Sequence, residues 1–294
     1  MLISYDRPGS VTWALTSTPN NDAAFVTSNA YLTDGKIATP TRITWDSGTQ
    51  SIVDYVQLTG TISMPVKAGD LIVFYLHCSK TAYAIPAGIL LTFRLWDGTL
   101  PHAVTVPAVS VQRSDGSTVF IGIGTAPATF TATSIFAKIA NLVSPTGPTW
   151  ASPSQYFDLG EFWWGTLREF KTSTDPKRQL VDNVTNRRSH SNQAWPLYQG
   201  KPYVEWTLAF TPMSFASAFD SSNTPSYAQV EYALSQADAS LFLPRIYLQG
   251  TQTIDPVALS QFACFGRVDK LAPLQGHKDG PYWVAGMTFS ESPP

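Results

Sequence analysis

Apolar and polar residues alternate with a period of two along almost the whole chain. Residues 52–58 (IVDYVQL), 70–76 (DLIVFYL), 90–96 (LLTFRLW), 118–123 (TVFIGI) and 203–210 (YVEWTLAF) each read as a β-strand, because successive strand side chains point to opposite faces. Turn-forming clusters separate them: Thr33-Asp34-Gly35, Asp46-Ser47-Gly48, Asp97-Gly98 and Asp115-Gly116. Many short strands at such spacing predict a sandwich or a barrel. Helix is scarce. The spacing predicts one over residues 227–241 (YAQVEYALSQADASL), where good helix formers place apolar positions three and four apart and Pro225-Ser226 precedes the run.

Residues 144–153 (SPTGPTWASP) hold three prolines and a glycine, which deny the chain both helix and ladder. With 294 residues, more than a single core usually serves, two domains are expected, at 1–145 and 150–294, both mainly β. Charged residues make up only 14% of the chain, against roughly 25% in an ordinary domain. Nine Trp, twelve Tyr and sixteen Phe accompany that low charge, a combination suited to strands and to surfaces covered by neighbours.

The net charge of −2 and the absence of long Lys/Arg clusters argue against a nucleic-acid partner, which requires a basic footprint. No apolar run approaches the ~18 residues of a membrane span, and residues 1–13 show no signal-peptide pattern, so no membrane insertion is expected. Cys78 and Cys264 each lie in an apolar run and read as buried free thiols.

Residues 29–45 (NAYLTDGKIATPTRITW) carry the most specific signal: Leu32, then Asp34-Gly35, a Thr-rich loop, and Trp45 entering a strand. This resembles the opening of a galactose-binding-like, discoidin-type jelly roll, with looser similarity through residues 20–140. The resemblance implies a structural calcium near the Asp-Gly turn, with a carboxylate from Asp34 and a hydroxyl from Thr39 or Thr41, since calcium prefers oxygen. A plain tight turn is the simpler explanation of Asp34-Gly35. The resemblance also implies contact with host surface glycans, for which Trp45, Arg94 and Trp96 are candidates. Alternation among apolar neighbours makes core packing the competing role for the aromatics. Calcium is the one cofactor implied.

The second half has its own order of parts. Residues 157–170 (FDLGEFWWGTLREF) form a strand, then come Arg187-Arg188-Ser189, the Tyr203-to-Trp206 strand, the helix, a Phe265-Gly266-Arg267 strand and a last aromatic strand. Residues 155–292 resemble the tail-tube-derived split β-barrel of distal tail and minor tail proteins of long-tailed bacteriophages. That resemblance implies a structural protein of the virion, made in a bacterial cytoplasm. It would sit at the tail tip or baseplate, form a homo-oligomeric ring, contact other tail proteins and present the jelly roll outward.

No nucleophile elbow, metal-binding His pair, Walker loop or dinucleotide fingerprint occurs, and Gly122-x-Gly124 lacks a third glycine. A strand edge or bulge is the expected reason for that glycine pair. His77, His102, His190 and His277 lie far apart in sequence. The chain is therefore expected to be no enzyme. Hydrolysis of a surface polysaccharide by paired carboxylates is the enzymatic alternative, with Asp158, Glu161, Asp175, Asp182 and Glu205 as the acids to weigh.

Overall fold

In the computed structural model the described residues are 2–5, 11–18, 24–36, 38–44, 55–79, 90–113, 116–140, 156–169, 177–181, 184–188, 194–198, 203–219, 226–237, 239–243, 263–276 and 283–291. The expected boundary at 144–153 lies outside them. The first strands are β1 (Leu2–Ser4), β2 (Thr12–Thr18), β3 (Ala24–Phe25), β4 (Thr41–Thr44), β5 (Tyr55–Val66), β6 (Leu71–Cys78) and β7 (Leu90–Trp96). They are followed by β8 (Ala103–Pro107), β9 (Val109–Gln112), β10 (Thr118–Thr125), β11 (Phe130–Ala140), β12 (Tyr156–Thr166) and β13 (Arg168–Glu169). Next come β14 (Lys177–Val181), β15 (Val184–Arg188), β16 (Ala194–Tyr198), β17 (Tyr203–Ala209), α1 (Phe215–Phe219) and α2 (Tyr227–Gln236). The chain closes with β18 (Ser240–Leu243), β19 (Cys264–Gly276) and β20 (Trp283–Glu291). The protein is mainly β, and every strand pair among the described residues is antiparallel.

Three sheets stack in layers. The outer sheet runs β2-β5-β11-β7-β8, the middle one β3-β4-β12-β6-β10-β9, and the third β13-β1-β18-β19-β20-β17-β14. Between the outer and middle sheets lies a core centred on Trp13, Phe74, Phe93, Phe162 and Trp164. The middle and third sheets share a second core of Val73, Tyr75, Val119, Ile121, Trp163, Leu241 and Phe265. On the far side of the third sheet, α2 packs Tyr227, Val230 and Leu234 against Trp206, Phe242 and Phe289.

Local sequence explains which sheet is which. Outer strands alternate cleanly, as in β7 with Leu91, Phe93 and Leu95 buried and the residues between them not. One face meets the core and the other meets solvent. The middle strands β6, β10 and β12 are instead nearly continuous runs of buried residues, because both of their faces are covered. Phe162, Trp163 and Trp164 show the consequence. The first and third stack into the first core beside Trp13, and the second turns into the other core against Phe265.

Two strands lie across the expected division of the chain. β1, from the N-terminus, pairs with β13 and β18 in the third sheet, while β12 enters the middle sheet between β4 and β6. Trp163 Nε1 donates to Ser4 Oγ at 3.0 Å, and Arg113 bridges to Glu291 Oε1 at 2.7 Å and to the Ala263 carbonyl at 2.6 Å. Cys78 and Cys264 are buried free thiols, and burial pushes the Cys78 thiol up to about 12.

The expected helix ends early. α2 stops at Gln236, and residues 240–243 become a strand between β1 and β19, where four buried positions complete the sheet. Gly122 and Gly124 also have another cause than an edge or bulge. A Cβ on either would press on Val106 of the facing sheet, at 2.7 and 2.5 Å, so the glycines let two layers approach.

Gly266 is the tightest such position, since a Cβ there would overlap the Ser290 carbonyl of the neighbouring strand, whereas at Gly276 it would meet nothing within 4 Å. Gly266→Ala is expected to destabilise the protein by about 1–3 kcal/mol, and Gly276→Ala by less than about 0.5 kcal/mol. Denaturant titration of the pair measures both, and equal losses would contradict this packing.

Candidate functional site

The outer face of the five-stranded sheet is built by alternation. With Leu91, Phe93 and Leu95 turned inward on β7, Thr92, Arg94 and Trp96 face outward. On β11, Ile135, Ala137 and Ile139 are buried, leaving Ser134, Phe136 and Lys138 on the same outer face. Register aligns them into rows: Thr105–Arg94–Phe136–Thr59 across four strands, flanked by Trp96–Ser134–Thr61 and by Thr92–Lys138–Gln57.

Contacts within this face are specific. Trp96 and Phe136 meet edge to face with ring centroids 6.3 Å apart. The Arg94 guanidinium lies over both rings, 5.4 and 5.0 Å from their centroids, and its Nε donates to Thr105 Oγ1 at 2.9 Å. Lys138 Nζ lies 3.8 Å from the Tyr55 ring centroid. Such cation–π pairs fix the side chains at roughly 0.5–1 kcal/mol each when exposed. Core packing of Trp96, the role that competed with glycan contact, is not what the structure has. Trp45 lies outside the described residues. Phe136, Lys138 and Tyr55 were missed by the sequence reading, although alternation over 134–140 marks the first two as outward.

Beside Trp96, the β7–β8 turn is closed by one carboxylate. Asp97 Oδ1 accepts from the Thr99 amide at 2.9 Å and from the Thr99 hydroxyl at 2.6 Å, and Oδ2 lies 2.8 Å from His102 Nδ1. Thr99 Oγ1 is 3.3 Å from that same Nδ1. Both partners therefore use one ring nitrogen, which is a turn clasp and not the relay geometry of a catalytic triad.

The Asp34 turn is closed in a similar way. Asp34 Oδ1 accepts from the Lys36 amide and Oδ2 from Thr39 Oγ1, each at 2.8 Å, while Gly35 takes a φ of 80°. The Gly35 amide donates to Glu161 Oε2 at 2.9 Å. Thr41 is buried and gives its hydroxyl to the Ser28 carbonyl at 2.8 Å. Asp34 and Thr39 are thus brought together and Thr41 is committed elsewhere. These three side chains do not assemble a calcium shell in this arrangement, and calcium stays an expectation of the resemblance. Among the described residues no group of three or more His, Cys, Asp or Glu could hold a metal ion.

Three of the acids weighed for hydrolysis are among the described residues, each with its own surroundings. Asp158 is held by Arg42 through two hydrogen bonds of 2.7 Å, and Glu161 is buried opposite His77 in the register. Glu205 accepts from Gln179 across β14 and β17. Asp175, Asp182, His190 and His277 lie outside the described residues. No helix among the described residues is long and apolar enough to cross a membrane.

A second surface stands out at the rim of the third sheet. β14 is its terminal strand, and Lys177, Arg178, Gln179 and Leu180 are all exposed, Leu180 at 63%. Exposed aromatics accompany that sheet, with Phe215 at 64% and Tyr232 at 71%.

No family model matches the chain, and no curated protein matches it. Among solved structures it is similar to the enzymatically active domain of tailspike protein 4 of bacteriophage CBA120, with 12% identity and a TM-score of 0.34. The match covers 52% of this chain but only 19% of that one. The expectation that the chain is no enzyme is corrected by this finding. The structure it matches is an enzymatically active domain, and a non-enzymatic character is no longer held. A likeness of this depth assigns no activity.

The Asp97 turn makes a pH prediction. The Thr99 hydroxyl first, then the Thr99 amide and His102, hold the Asp97 carboxyl at about 2 against an opposing desolvation. A depressed carboxyl stabilises the folded turn fully above its ordinary value of about 4, and that contribution fades as pH falls toward 2. Carboxyl NMR of Asp97 is expected to show a midpoint near 2, with the Thr99 amide shifting in step. A midpoint near 4 would contradict the clasp.

Proposed function

We propose that the protein is a structural component of a bacteriophage tail, assembling with copies of itself and with other tail proteins at the tail tip or baseplate. The observation that carries this reading is β14. It is a strand exposed on both faces at the end of the third sheet, with its outer ladder edge unmatched among the described residues. Such an edge is a template for a neighbouring strand, and folded proteins blunt it, cover it or use it. Repeated edge-to-edge pairing around an axis is a heterologous contact, which closes into a ring when the rotation allows.

Three further features agree. The order of segments from 155 to 292 resembles tail-tube-derived proteins, the charge of 14% is low for a free surface, and Phe215 and Tyr232 are exposed in the same half of the chain. In this reading the third sheet faces the assembly, and the five-stranded sheet, the layer farthest from it, faces outward. The protein then resides in the virion.

Mass photometry over a range of concentrations tests the assembly. A closed oligomer of discrete mass is expected, alone or with co-expressed tail proteins. Leu180→Lys, which places a charge on the exposed rim, is expected to yield monomers with unchanged melting. A wild-type protein that stays monomeric under all these conditions, or a variant that assembles like wild type, would overturn the reading.

A further inference from the structure

We infer that the outer face of the five-stranded sheet binds a carboxylated saccharide, such as a uronate- or sialate-bearing polymer. This inference does not rest on assembly, since the face belongs to the layer opposite β14 in the stack.

The argument begins with what the face contains. Trp96, Phe136 and Tyr55 offer ring surface, which packs against the apolar C–H faces of sugars. Arg94 and Lys138 supply positive charge beside those rings, and Thr and Gln hydroxyl and amide groups fill the rows between them. Among the described residues of β2, β5, β7, β8 and β11, the outward positions hold no Asp or Glu at all. Asp97, just past the end of β7, is turned into its own clasp with Thr99 and His102. A protein with net charge −2 therefore keeps one face locally cationic, and such a face is complementary to an anion.

Chemistry narrows the anion. Two cations are too few for the counterion release that drives nucleic-acid binding. A peptide strand would need an open ladder edge, and this is a sheet face. Arg94 Nε is already bound to Thr105, which orients the guanidinium so that its forked Nη end can meet a planar carboxylate. Lys138, two positions along β11 from Phe136, can meet a second carboxylate as a point charge. Along a strand, residues i and i+2 lie about 6–7 Å apart, close to the length of one sugar residue. The rows thus offer charge, ring and hydroxyl in repeating order to an extended chain of sugars. The side chains are also pre-ordered by their mutual contacts, which lowers the entropy lost on binding.

Titration calorimetry with polygalacturonate, alginate and polysialic acid tests this, with methyl-esterified polygalacturonate as the uncharged counterpart and single-stranded DNA as the competing polyanion. Wild type is expected to bind at least one acidic polymer about ten-fold more tightly than the methyl ester, and to lose affinity as salt rises. Arg94→Gln with Lys138→Gln is expected to abolish that preference, and Trp96→Ala to weaken binding by about ten-fold or more. All three positions lie on an exposed face, so melting should hold; the charge variants decide the matter if Trp96→Ala fails to fold. No binding to any of the three polymers, equal affinity for acid and ester, or tighter binding to DNA would overturn the inference.

Discussion

The structure depends on a sheet whose central strands have no solvent face. Phe162, Trp163 and Trp164 are consecutive in β12, and strand geometry sends them alternately to two different cores. Trp163 stacks edge to face on Phe265, which also lies parallel to Tyr75, so the second core is held by the same strands that close the first. Truncating an aromatic of this size in a core costs about 3–5 kcal/mol, a large share of the 5–15 kcal/mol that keeps a domain folded. Any change at β12 is therefore felt on both sides of the middle sheet.

That constraint decides which surfaces remain for function. The central strands of the middle sheet offer no face. The part of the third sheet around β1, β18 and the start of β19 is covered by the middle sheet, and α2 packs on the other side. Two surfaces among the described residues stand out: the outer face of the five-stranded sheet and the rim of the third. One is a rigid array of rings and cations without acids, and the other is an open strand edge. The first suits a ligand, the second a neighbour. Both can operate at once because the stack separates them.

Much of this was legible in the chain. Alternation placed the strands around 90–96 and 203–210, and the turn chemistry of Asp34-Gly35 and Asp97-Gly98 came out as read, with both glycines at positive φ. The segments at 70–76 and 118–123 read as strands from the same alternation, but the structure covers the middle of each on both faces, which single-sided alternation did not indicate. What could not be read locally was affiliation. Residues 2–4 and 156–166 are ordinary strands by sequence, and only pairing partners far along the chain assign them to the third and middle sheets. The end of α2 failed for the same reason, since tertiary demand for a strand at 240–243 overrode good helix propensity. At the outer face, Trp96 was weighed as a core residue because its neighbours Leu95 and Phe93 are apolar. The phase of the alternation, not the composition, sets the direction of its side chain.

The most direct test of the account is differential scanning calorimetry of the intact chain. If the middle sheet is shared by two cores, the protein melts in a single transition whose calorimetric and van't Hoff enthalpies agree, and Trp163→Ala lowers that one transition as a whole. Two resolved transitions in the wild type, with Trp163→Ala shifting only one of them, would show that the layers fold independently and would contradict the account.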